Sequence, residues 1–189
     1  MKLHTFSAAA LLAAFVSLPA HAFTVDVVDA NGNDVDSSFS LPGMLSVDFG
    51  LKNTLPVTLG ITADAGDPAS LAFNAALKNL IGEGFERITF ALQGATFTTL
   101  GSAAGTFGTI ATVSGNSALA SVSFAGPEYV EAYIGDWFLD GTGSDFAIDL
   151  AGATGPVSLT ITASVPEPAE YAMLLAGLAL VGSAARRRG

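Results

Sequence analysis

The run Val157-Ser158-Leu159-Thr160-Ile161-Thr162-Ala163 alternates apolar and hydroxyl-bearing residues without interruption. Extended, it puts four apolar side chains on one face and three hydroxyls on the other, and the apolar face must be covered by a second layer. The same period of two recurs in Leu45, Val47, Phe49 and Leu51, and in Val57, Leu59, Ile61 and Ala63. Further strands are expected over residues 88–92, 95–100, 107–113, 118–124, 129–134 and 146–150. Breaks such as Asn31-Gly32, Gly115-Asn116 and Asp140-Gly141 favour tight turns between them. Many short strands at this spacing predict an all-β body over residues 23–164, an antiparallel β-sandwich. One segment departs from the period. Asp67 is a good N-cap and Pro68 suits the first helical position; Phe73, Ala76, Leu77, Leu80 and Ile81 then recur at helical spacing before Gly82. One short helix over residues 68–81 is therefore expected, covering an open end or face of the sandwich.

Both ends of the 189-residue chain read as targeting segments. Lys2 and His4 open a short basic region, an apolar run follows from Phe6 to Leu18, and Pro19 precedes Ala20-His21-Ala22. Small residues flanking one variable position suit signal peptidase, so residues 1–22 are read as a signal peptide cut between Ala22 and Phe23. That cut removes both histidines, His4 and His21, and the chain has no cysteine. The side chains that carry most neutral-pH proton transfer, zinc binding and thiol chemistry are then missing from the body. Residues 23–164 hold fifteen Asp or Glu against Lys52, Lys78 and Arg87, a net charge of −12. Such a surface repels phosphate backbones and argues against nucleic-acid binding. It suits divalent cations, or polymers bridged by them.

After the last strand, Val165-Pro166-Glu167-Pro168 cannot pair in a sheet, and an extended, accessible linker is expected. Residues 171–185 are uncharged, and Arg186, Arg187 and Arg188 follow at once. An uncharged run ending in a basic cluster is a stop-transfer pattern that keeps the arginines cytoplasmic and the body outside. Fifteen helical residues reach roughly 22 Å against a hydrocarbon core of about 30 Å, so the expected transmembrane helix is a marginal one. It suits a precursor held in the inner membrane only transiently. In order and spacing these parts resemble the PEP-CTERM sorting domain, over about the last 25 residues. The resemblance implies a Gram-negative bacterium that makes extracellular polysaccharide. It also implies an exosortase as processing partner, with a cut near Pro166-Glu167-Pro168, and a destination at the cell surface or in the extracellular (biofilm) matrix. It implies nothing about what the body does.

Two clusters in the body could carry chemistry. Asp26, Asp29, Asn31, Asn33, Asp34 and Asp36 supply the hard oxygens a calcium ion takes, without the EF-hand spacing. Read otherwise, they are a hairpin turn with solvated neighbours. Tyr129, Glu131 and Tyr133 fall on one face of an expected strand, close in sequence to Trp137, the sole tryptophan. Tyr129, Tyr133 and Trp137 are thus candidate contacts for a sugar, or else cross-strand packing. No motif marks a catalytic carboxylate pair, and a serine nucleophile would have only Lys52 or Lys78 as base. No catalytic, metal or cofactor residue is assigned. The expected role is a non-catalytic structural protein of the surface or matrix, with a carbohydrate-binding module for extracellular polysaccharide as the alternative.

Overall fold

Alternation decides which face of each strand is buried. The computed structural model describes residues 23–63, 68–166 and 172–179. Within them, β1 (Thr24–Asp29), β4 (Val57–Thr62), β13 (Val157–Ser164), β6 (Phe85–Gln93), β10 (Leu119–Glu128) and β9 (Ala111–Gly115) form a six-stranded sheet in that order. Every pairing in it is antiparallel. In β13 and β4, Val157, Leu159, Ile161, Val57, Leu59 and Ile61 are all at most 2 % exposed, and the Thr and Ser residues between them face outward.

The second sheet runs β2 (Asp34–Asp36), β3 (Met44–Leu51), β5 (Ser70–Asn79), β11 (Glu131–Ile134) and β8 (Ala103–Gly105). β12 (Phe146–Asp149) pairs with the first half of β5 and carries β7 (Thr96–Thr99) on its far side. The two inner faces share one core. Phe73 of β5 meets Phe90 of β6 edge-on at 5.5 Å, and Phe146 of β12 lies 6.2 Å from both. Each such aromatic contact adds about 0.5–1.5 kcal/mol beyond the area it buries. A 3-10 turn, Thr106–Gly108, links β8 to β9 and so joins the two sheets at one side.

Three expectations are corrected. Residues 68–81 are not a helix: their centre is β5, whose Leu71, Phe73, Ala75 and Leu77 point into the core. The apolar positions satisfied both periods, and pairing on both sides with β3, β11 and β12 overrode the helix preference of Ala, Leu and Lys. The expected N-cap, Asp67, lies outside the described residues. Nor is the sandwich wholly antiparallel. β3 and β5 are parallel over eight residue pairs, because the chain leaves this sheet after Leu51, runs through β4 in the opposite sheet, and re-enters at Ser70. The linker, finally, is not exposed from its start: Val165 packs on the core and Pro166 is buried.

Among the described residues, 172–179 are the one short α-helix, and no helix there is long and apolar enough to cross a membrane. Ala20, Ala22, Glu167, Pro168, Arg186, Arg187 and Arg188 lie outside the described residues, as do residues 171 and 180–185 of the expected transmembrane span. Phe23 is 8 % exposed and belongs to the core. β1 and β13 flank β4 and run in the same direction, so the body's first residue and Ser164 lie at opposite ends of the strands.

Candidate functional site

The outer face of the seven-stranded sheet gathers most of the chemistry-bearing side chains. Register places them in rows across the strands. One row runs Asp36, Asp48, Ala76, Tyr133 and Ala104, and the next Asp34, Gly50, Lys78 and Glu131. Because Ala76 and Gly50 are small, the middle of these rows is a shallow groove of about 300 Å³ with Asp34, Asp36, Asp48, Lys78 and Glu131 on its walls. Burial, followed by the charges of Asp36 and Glu131, raises the Asp48 carboxyl above its ordinary value of 3.8. Its Oδ1 is buried without a hydrogen-bond partner.

Farther along the same face, Ser46 and Asn74 pair across β3 and β5 beneath two loops. Residues 37–43 supply Phe39 and Leu41, and residues 135–145 supply Trp137 and Leu139, around a pocket of about 190 Å³. Trp137 also lines a cleft of about 200 Å³ with Tyr133, Phe138 and Ala104. The Tyr133 ring sits 4.9 Å from that of Phe138, and its hydroxyl donates to Glu131 Oε2 at 2.8 Å. That hydrogen bond, with burial and the Glu131 charge, raises the phenol above 10.0. The loop itself is pinned at both ends. Asp145 Oδ1 accepts from the Asp136 backbone N–H at 2.7 Å and from Asn74 Nδ2 at 3.4 Å, and Asp136 accepts from the backbone of Asp140 and Gly141.

Of the three rings expected together, Tyr133 and Trp137 share this cleft. Tyr129 is 63 % exposed and lies outside β11. The reason is Glu128, 2 % exposed, whose Oε1 accepts from the backbone N–H groups of Val130 and Glu131 and turns the chain before the ladder begins. Asn74, Ser46 and Asp48 were not singled out by sequence. Alternation places them opposite the core-facing residues of β3 and β5, but β5 had to be read as a strand to show it.

The acidic stretch at residues 26–36 is divided among separate partners. Asp29 accepts from the Asn31 backbone N–H, Asp34 pairs with Lys52 at 2.6 Å, and Asp36 accepts from the Ser38 N–H, which with the Ser38 side chain lowers its pKa. Asn33 is buried and holds the loop after β3: its Oδ1 accepts from the backbone N–H groups of Lys52 and Asn53. Among the described residues no three His, Cys, Asp or Glu side chains converge where a metal ion could be held.

Residues 164–188 match the model of the PEP-CTERM protein-sorting motif, which therefore begins at Ser164, the last residue of β13. No curated protein and no solved structure matches the chain.

Proposed function

With the sorting motif joined directly to the last strand of the body, we propose that this chain is an exported surface or extracellular-matrix protein, processed by an exosortase, whose sandwich acts structurally and without catalysis. The motif at residues 164–188 is the observation that carries the export route. On this reading residues 1–22 are removed by signal peptidase, the tail holds a precursor in the inner membrane, and exosortase frees the body. A structural role is supported by the open outer groove, two of whose carboxylates are already engaged, Glu131 by the Tyr133 hydroxyl and Asp34 by Lys52. Changing Pro166, Glu167 and Pro168 together to alanine, in a host with its exosortase, is expected to leave an uncleaved precursor in the membrane fraction. Maturation of that variant to the wild-type mass would overturn the proposal. Intact mass of the exported protein is expected to place its first residue at Phe23.

A carbohydrate-binding reading is favoured by one observation, the cleft that Tyr133 and Trp137 share. Stacking on one ring is worth roughly 1–3 kcal/mol by analogy with base stacking. Trp137→Ala should therefore release the protein from extracellular polysaccharide while its thermal unfolding stays cooperative. Unchanged retention would leave the structural reading alone.

A further inference from the structure

From Ile88 to Pro127, forty consecutive residues carry no Asp, Glu, Lys, Arg or His. They build most of β6 and all of β7, β8 and β9, along with all of β10 but its last residue, so one side of an otherwise strongly acidic body is free of charge. β9 is the outermost strand there, and among the described residues no strand pairs with its outer edge.

Sheet edges invite pairing with other chains, and proteins usually blunt them with charge, brevity or bulges. The other edges here are blunted. β1 carries Asp26 and Asp29 and a register break between Val27 and Asp29. β2 is three residues long with two aspartates, β8 is three residues long, and the pairing of β7 is broken by a register shift. β9 has none of these devices: its register with β10 is unbroken over five pairs, and it lacks proline and charge. At its start, Phe107 is 95 % exposed with φ at +57°, and Ile110 is 71 % exposed. A bulky residue held in the left-handed region with its ring in water has no folding role to justify the strain.

We propose that the outer edge of β9 pairs antiparallel with β9 of a second copy of this chain, about a two-fold axis at Val113. Ile110 O accepts from Ala125 N–H and Leu119 O from Asn116 N–H, so even-numbered residues of the strand bond to β10. The N–H and C=O groups of Ala111, Val113 and Gly115 therefore point outward. The sequence Ala-Thr-Val-Ser-Gly is self-complementary about its centre: Val113 meets Val113 of the second copy, Thr112 meets Ser114, and Ala111 meets Gly115. Small faces small, and hydroxyl faces hydroxyl. Charge selects the same surface. Two bodies of net charge −12 repel wherever carboxylates meet, and the β9 side brings none together. Pairing merges two six-stranded sheets into one and places each Ile110 opposite Asn116 of the other copy.

The exported chain, purified from its producing host, is followed by sedimentation velocity over a range of concentrations. Wild type is expected to form a dimer. Thr112→Glu with Ser114→Glu sets carboxylates against each other at both crossings and should weaken the dimer by about tenfold or more. Thr112→Glu with Ser114→Lys sets opposite charges there and should restore it. Both side chains are exposed, so the circular dichroism of all three proteins should coincide. In the assembled wild type the amides of Ala111, Val113 and Gly115 should exchange slowly. A wild type monomeric at every concentration, two double variants that associate alike, or a dimer whose three outward amides exchange freely would each overturn the proposal.

Discussion

Asn33 shows how a residue that looks like a ligand can be a clamp. Its amide oxygen accepts from two backbone N–H groups, and its Nδ2 donates to Asn53 Oδ1 at 3.4 Å and to Leu55 O at 3.3 Å. Asn33→Ala strands those buried groups and should cost about 1–3 kcal/mol in denaturant unfolding. Asp48 works in the opposite sense. Its folded-state pKa is raised, so its contribution is most favourable below the ordinary carboxylate range and is lost as pH rises through the folded value. At neutral pH the ionised form is a burden. Asp48→Asn is thus expected to raise the thermal midpoint at pH 7, with the gain shrinking to nothing as pH falls below about 4. Phe107→Gly removes the left-handed strain and should stabilise the monomer by about 1 kcal/mol.

Among the elements, the loop at residues 135–145 depends on a glycine. Gly135 has φ at +76°, and a Cβ there would lie 2.6 Å from Asp145 Oδ1 and 2.8 Å from Asn74 Cβ. Gly135→Ala should cost roughly 1–3 kcal/mol and loosen the loop, read as a red shift in the emission of Trp137, the sole tryptophan. The strands that came through clearly from sequence are those whose residue types alternate without a break: β4 and β13, buried on one face only, and β3, whose outer face is covered only at Ser46. β5 did not, because six of its ten residues are buried and its outer Ala76 and Asn74 are among them, leaving a pattern that also fits a helix. β1 and β2 bury almost nothing, so their residues stand out in the sequence as a possible ion site or the solvated neighbours of a hairpin turn rather than as strands. The site followed suit: Tyr133 and Trp137 were legible as aromatics near acids, whereas Asn74 and Asp48 joined them only through the parallel pairing of β3 and β5. Tyr129 was misplaced by a turn that rests on one buried carboxylate, Glu128, which no local pattern announces.

For the molecule as a whole, a body of net charge −12 with few cations repels itself. Its thermal midpoint should rise when salt is raised from about 0.01 to 0.15 M, as the screening length falls from about 30 to 8 Å; a flat response would show that the carboxylates are too dispersed to matter. The direction of the strands has a consequence of another kind. The tail leaves at the end of β13, away from the loops that carry Trp137 and Phe39, so those rings face outward from whatever the tail is fixed to. A two-fold pair built on β9 reverses one copy relative to the other, and its two tails depart in opposite directions. Two copies rooted side by side in one bilayer cannot meet that geometry. On the proposed route and pairing, severing the tail does more than set the protein free: it lets one partner turn over, so that assembly follows processing.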